Sequence, residues 1–256
     1  MKASDFVETA RSIASNYKTL YIKGCFGAPM TESNKERYIN NSAYNKRRAS
    51  MIRSATWNTY GFDCVCLIKG ILWGWSGDLT KIYGGAVYLS NGVPDISEDT
   101  MIRMCSDVSE TFNDIPKGAM LWLSGHAGIY LGDGLAAEAT PKWANKVQIT
   151  AVGNIGSKPG YQTRTWKKWG RLPWVEYEEE DMTEEQVRGI VRDELRKENE
   201  ELKQKPASNY AKPALAWGEK NSLIFGDETG NLMPQAPIKR QDALEILQRF
   251  WNNLIK

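Results

Sequence analysis

Apolar residues recur at helical spacing over residues 4–17, where Phe6, Ala10, Ile13, Ala14 and Tyr17 share a face and Ser4 or Asp5 can cap the start. The pattern predicts an amphipathic helix. The segment 21–27 carries two glycines, Gly24 and Gly27, that permit unusual backbone angles. A polar stretch over 32–53 follows, and its Lys46-Arg47-Arg48 cluster reads as a solvated helix face. Residues 64–75 are apolar nearly all round, through Cys64, Cys66, Leu67, Ile68, Ile71, Leu72, Trp73 and Trp75, which predicts a helix buried inside a domain. Beyond Gly84-Gly85 strand patterns begin. Apolar runs at 120–123 and 127–131 bracket Ser124-Gly125-His126, and Asp133-Gly134 predicts a tight hairpin. Strands are expected again at 135–139 and 147–152, with 166–177 closing the domain. Helices first and antiparallel strands after predict an α+β fold.

The pattern changes at the acidic run 176–181, which reads as a linker. Thr183 with Gln186 three residues later forms a capping-box pattern. Val187, Ile190, Val191, Leu195 and Leu202 then mark a charged amphipathic helix to about Lys205, broken at Pro206-Ala207-Ser208. Residues 209–256 read as a small unit with helices near 213–220 and 241–253. Between them, Asp227-Glu228-Thr229-Gly230-Asn231 lacks the ligand spacing of an EF-hand and is expected to be a turn.

Charge follows the same division. Residues 1–175 carry 21 Lys and Arg against 14 Asp and Glu, whereas 176–256 carry 12 against 17. A basic front half suits an anionic surface, either nucleic acid or a bacterial wall. The 41% apolar and 25% charged content is that of an ordinary soluble protein, and no apolar run is long enough to predict a membrane span. Lys2, Asp5, Glu8 and Arg11 interrupt the first fifteen residues, so no secretory signal is expected. The chain is expected to be made in a cytoplasm and to need delivery if it acts outside.

Chemistry is concentrated in few residues. Cysteines stand at 25, 64, 66 and 105, and the chain has one histidine, His126. That set predicts neither a disulfide framework nor a closed zinc site, and HExxH chemistry needs two histidines, so no metal or cofactor is expected. Asp63 is a good N-cap, which puts Cys64 at a helix start, where the macrodipole favours a thiolate. Cys66 falls roughly 200° further round, so the two thiols cannot face one site. Both can equally be core cysteines. Glu138 lies twelve residues after His126, with the predicted turn midway, so a carboxylate can orient the imidazole. Nucleophile, base and orienter would then be Cys64, His126 and Glu138. The plain alternative is a structural histidine and a surface glutamate.

Three ordered segments resemble the NlpC-type cell-wall cysteine peptidases. Asp63-Cys64-Val65-Cys66-Leu67 resembles their Asp-Cys-small-Gly-Leu segment, with Cys66 at the glycine position. Gly125-His126-Ala127-Gly128-Ile129-Tyr130-Leu131-Gly132 matches their Gly-His-x-Gly-Ile-Tyr-hydrophobic-Gly strand throughout. Tyr21-Ile22-Lys23-Gly24-Cys25 resembles their Tyr-x-x-Gly-Gly element with the second glycine replaced. The resemblance implies a papain-like fold over residues 1–177, Cys64 as nucleophile, His126 as base and a polar third residue where Glu138 falls. That third position is commonly His, Asn or Gln in the family. It also assigns Tyr21 and Asp63 to substrate binding. The insertion between Tyr21 and Cys64 is similar to one found in phage lysins. More weakly, residues 211–243 resemble a single S-layer-homology-like repeat, a class that binds wall polymers, with Lys239 in place of the usual threonine.

These readings give three expected segments: a catalytic domain over 1–177, a linker and helix over 178–208, and a wall-binding or oligomerising unit over 209–256. The expected activity is endolysin-like cleavage of a stem-peptide amide in bacterial peptidoglycan, at the wall after release from a phage-infected cell. Peptidoglycan is the expected partner, with no nucleic acid and with homo-oligomers possible through the C-terminal region. An N-acetylmuramoyl-L-alanine amidase on the same scaffold and a non-catalytic wall-binding or virion protein stay open as alternatives.

Overall fold

The computed structural model describes residues 1–177 and 184–254. The chain divides into two compact units, 1–179 and 180–256. Most of the acidic run, and the capping box expected from Thr183, lie outside the described residues.

The first unit is α+β. It opens with α1 (Ala3–Asn16), β1 (Thr19–Tyr21), β2 (Phe26–Pro29), α2 (Glu32–Asn41), α3 (Ala43–Lys46), α4 (Ala49–Ser54), β3 (Tyr60–Phe62) and α5 (Cys64–Leu72). It continues through α6 (Glu98–Met104), β4 (Ser106–Ser109), β5 (Met120–Leu123), β6 (His126–Gly132), β7 (Leu135–Thr140), β8 (Lys146–Val152), β9 (Thr163–Arg164) and β10 (Lys168–Arg171). Seven strands form one sheet in the order β4-β10-β5-β6-β7-β8-β9, antiparallel except for the β8–β9 pair.

Why α5 is buried follows from its composition. All nine residues are buried, including Lys69, whose ammonium meets Asp95 at 2.5 Å. Leu67, Ile68, Ile71 and Leu72 join Phe6 and Ile13 of α1 and Ala127, Ile129 and Leu131 of β6 in the main core. Each such large side chain contributes about 1.5–3 kcal/mol of burial. Tyr130, Leu121, Val152, Trp166 and Trp169 form a second cluster. Chain closure is by Glu176, paired with Lys2, and by the Tyr177 hydroxyl, which donates to the Gly118 carbonyl and accepts from the Leu172 amide.

The polar insertion is an ordered cap. Its helices α2–α4 turn Tyr38, Ile39 and Ile52 onto Ile22, Ala28 and Met30 beside the small sheet β1-β3-β2. Arg48 departs from the solvated face expected of its cluster. It donates to the Tyr21 carbonyl and to Asn145, while its neighbours Lys46 and Arg47 are exposed.

The second unit contains α7 (Glu184–Gln204), α8 (Lys212–Lys220) and α9 (Arg240–Leu254). Trp217 meets Phe250 with ring centroids 6.5 Å apart, and Leu223 is buried. Asp227 accepts from the amides of Thr229 and Asn231, which makes 227–231 a turn. Val187, Ile190, Val191 and Leu195 of α7 are exposed. Among the described residues no helix is long and apolar enough to cross a membrane.

Candidate active site

The site is assembled from the start of α5 and from residues of β6, β7, β8 and β9. Asp63 caps α5 as its sequence position predicts. One carboxylate oxygen accepts from the Cys66 amide at 2.7 Å and the other from the Gly24 amide at 2.6 Å. The Asp63 amide donates to the Cys25 carbonyl. Asp63, with both oxygens engaged by backbone, thus ties the helix start to the 21–25 loop.

Cys64 is 7% exposed, and its Sγ lies within hydrogen-bond reach of the amides of Val65 and Ala127. The second contact sets the thiol beside the backbone of β6, one residue from His126. The helix start does not produce a ready thiolate. Burial, and after it the carboxylates of Asp63 and Glu98, push the thiol up to about 12, against the opposing pull of the two amides. Cys66 points into the main core, Cys25 into the cap, and Cys105 is the most accessible of the four.

His126 begins β6, opposite Leu123 of β5. Asp133 and Gly134, both at positive φ, make the two-residue turn into β7, with Gly132 facing Leu135. Such a turn alone would set position 138 opposite 129, on the face away from His126. The register shifts at Leu131, so that Tyr130 faces Ala136 and Ile129 faces Ala137. Continuing that register puts Glu138 opposite Gly128 and diagonally across from His126 on one face. The β-bulge thus brings carboxylate and imidazole together.

The outcome is a hydrogen bond of 2.6 Å between His126 Nε2 and Glu138 Oε2. Glu138 is fully buried and also accepts from Thr150 Oγ1 at 2.7 Å and Arg164 Nε at 2.6 Å. Burial alone would raise its pKa. The hydrogen bonds and charges of His126 and Arg164 outweigh burial and hold the carboxyl below the usual glutamate value. Trp166 stacks on the imidazole at 5.5 Å, nearly parallel. It also lies against Gly128, where a Cβ would come within 2.7 Å of the indole, so glycine is needed at that position of the strand. With Nε2 committed to Glu138, Nδ1 is the nitrogen left over. Among the described residues it has no hydrogen-bond partner, and Sγ makes no hydrogen bond with the ring.

Tyr21 completes the set. It is half-buried, and burial followed by the proximity of Cys64 and Asp63 raises the pKa of its hydroxyl. The Arg48 guanidinium lies 5.7 Å from its ring centre. Cys64 and Tyr21 thus share one neighbourhood, and the Ala127 amide that meets Sγ is the next in the strand after His126. Sequence reasoning missed Arg164, Thr150, Trp166 and Glu98. Thr150 was open to discovery as an alternating polar position in a predicted strand. Arg164 was not, because β9 has only two residues. No group of three or more His, Cys, Asp or Glu side chains that could hold a metal occurs among the described residues. No protein-family model matches the chain, and no curated protein matches it.

Proposed function

We propose that this chain is a papain-like, NlpC-type thiol hydrolase that cleaves a stem-peptide amide of bacterial peptidoglycan, most simply as an endopeptidase. The observation that carries the reading is the placement of Cys64, at a capped helix start and against the amide of Ala127, the residue that follows His126, whose Nε2 is fixed by a buried carboxylate. The choice of substrate rests on the resemblance of the segments 63–67 and 125–132.

The chemistry follows from the protonation states. The Cys64 thiol is neutral near pH 7, so the nucleophile forms during attack. Sγ closes to hydrogen-bond distance of His126 Nδ1 when substrate is bound, a contact commonly loose in a free enzyme. Nδ1 takes the thiol proton as Sγ bonds to the amide carbon. The amides of Cys64 and Val65, donors of the first helical turn, face the developing oxyanion. Collapse breaks the C–N bond, and the imidazolium gives its proton to the departing amine. Water, deprotonated by Nδ1, then attacks the thioester, and the released sulfur recovers its proton. Glu138 stays ionised throughout and holds the Nε2–H tautomer.

The test is clearing of a cell-wall suspension by wild type, Cys64→Ala and His126→Ala. Both variants should retain native circular dichroism and lose at least about 100-fold in rate, the usual span for general acid–base help being 10²–10⁴. Near-full clearing by a folded His126→Ala would end the thiol–imidazole mechanism.

A further inference from the structure

We propose that Arg164 is a positioning residue that sets the basicity of His126 by sharing the charge of Glu138; its kinetic consequence rests on the hydrolase reading, its effect on the imidazole does not. The argument begins with a conflict. A fully buried carboxylate 2.6 Å from an imidazole favours the imidazolium. An imidazolium cannot accept the proton of the neutral Cys64 thiol. A base is needed, and a buried unpaired glutamate works against one.

Arg164 answers that conflict geometrically. Its Nε reaches Oε2, the same oxygen that binds His126, at the same 2.6 Å. The charge that would be given wholly to the imidazole is divided with a guanidinium that cannot lose its proton. The guanidinium is held in place. Its side chain is 13% exposed, Nη2 donates to Thr140 Oγ1 at 3.3 Å, and the Trp143 ring lies 4.9 Å away. The parallel pairing of Val152 with Arg164 fixes the backbone from which it reaches past β8.

The charged and titratable groups around the pair are few. Glu138 is met by His126 from β6 and Arg164 from β9, with the neutral Thr150 hydroxyl from β8. His126 has Glu138 on one side and Trp166 across its face. Cys64, whose Sγ meets the amide of Ala127 next in the strand, has Asp63, Glu98 and Tyr21 about it. Arg164 is the cation in contact with the carboxylate that orients the base.

Because the chain has one histidine, a single imidazole resonance can be followed by NMR titration in the full-length protein. Arg164→Gln should raise the imidazole midpoint by about one unit or more. Arg164→Lys should stay closer to wild type, since the charge is kept. Glu138→Gln alone should lower the midpoint, and this variant leaves no unpaired carboxylate if Arg164→Gln fails to fold. The acid limb of the pH–rate profile should move with the midpoint. An unmoved midpoint in folded Arg164→Gln, or in Glu138→Gln, overturns the proposal. Midpoints that move as stated in a protein that cleaves no wall peptide uphold the electrostatic inference and overturn the hydrolase reading instead.

Discussion

Replacing Glu138 separates charge from shape at the centre of the site. Oε2 accepts from both His126 and Arg164, and Oε1 accepts from the Thr150 hydroxyl. A glutamine fits this pattern. Its oxygen can stand at Oε2 and accept both N–H groups, and its NH₂ can donate to a rotated Thr150 hydroxyl. Glu138→Gln therefore loses charge but no partner. Ionic hydrogen bonds are worth about 1.5–3 kcal/mol and neutral ones about 1, so the cost is about 1–2 kcal/mol after relief of desolvation. Glu138→Ala removes all three acceptor contacts and strands a largely buried guanidinium, at about 3–5 kcal/mol. Urea unfolding followed by tryptophan fluorescence measures both. The pH dependence has a definite sign. The folded-state pKa of Glu138 lies below its unfolded value, so the charge stabilises fully above the unfolded value, about 4.3, and this contribution fades as pH falls through the folded one. The gap between wild type and Glu138→Gln should be full at pH 7 and close at strongly acid pH. Equal losses for Gln and Ala at neutral pH, or a gap constant down to strongly acid pH, would refute this account of the carboxylate.

Alkylation with iodoacetamide should label Cys64 ever faster as pH rises past 9, without the early plateau of a preformed ion pair, because its thiol is pushed up to about 12. His126→Ala should slow that labelling and leave the more accessible Cys105 unaffected; peptide mapping by mass spectrometry reads both, and a plateau near neutral pH would show a standing thiolate. A chain ending at Tyr177 should cleave soluble stem peptides at a rate similar to that of the full chain but clear whole walls poorly, since the thiol, imidazole and carboxylate all lie before that point. Light scattering on the two chains should show self-association only when the second unit, with its exposed Val187, Ile190, Val191 and Leu195, is present; two monomers of equal activity on whole walls would remove both roles from that unit.

Much of the architecture could be read in advance because it rests on strong local signals. The apolar run of α5, capped by Asp63, and the Asp133-Gly134 turn each have one good structural solution. The facing of His126 and Glu138 is different. A midway turn suggests it, yet the observed geometry depends on the register shift at Leu131, which no turn rule supplies. Arg48 and Arg164 were illegible for a related reason. Their partners, the Tyr21 carbonyl, Asn145 and Glu138, are distant in sequence, and a basic residue in a polar stretch looks the same whether solvated or engaged. The state of the Cys64 thiol is not legible locally, because a helix start is a local property, whereas burial and the Glu98 carboxylate arrive only with the tertiary fold.

The most direct test of the central claim is chemical identification of what the protein releases. Purified peptidoglycan would be incubated with wild type and with Cys64→Ala, the new amines labelled, and the fragments sequenced by mass spectrometry. The account predicts a new amine within the stem peptide, formed by wild type and absent with the folded Cys64→Ala protein. No new amine with wild type, or the same amine formed equally by both proteins, would contradict it.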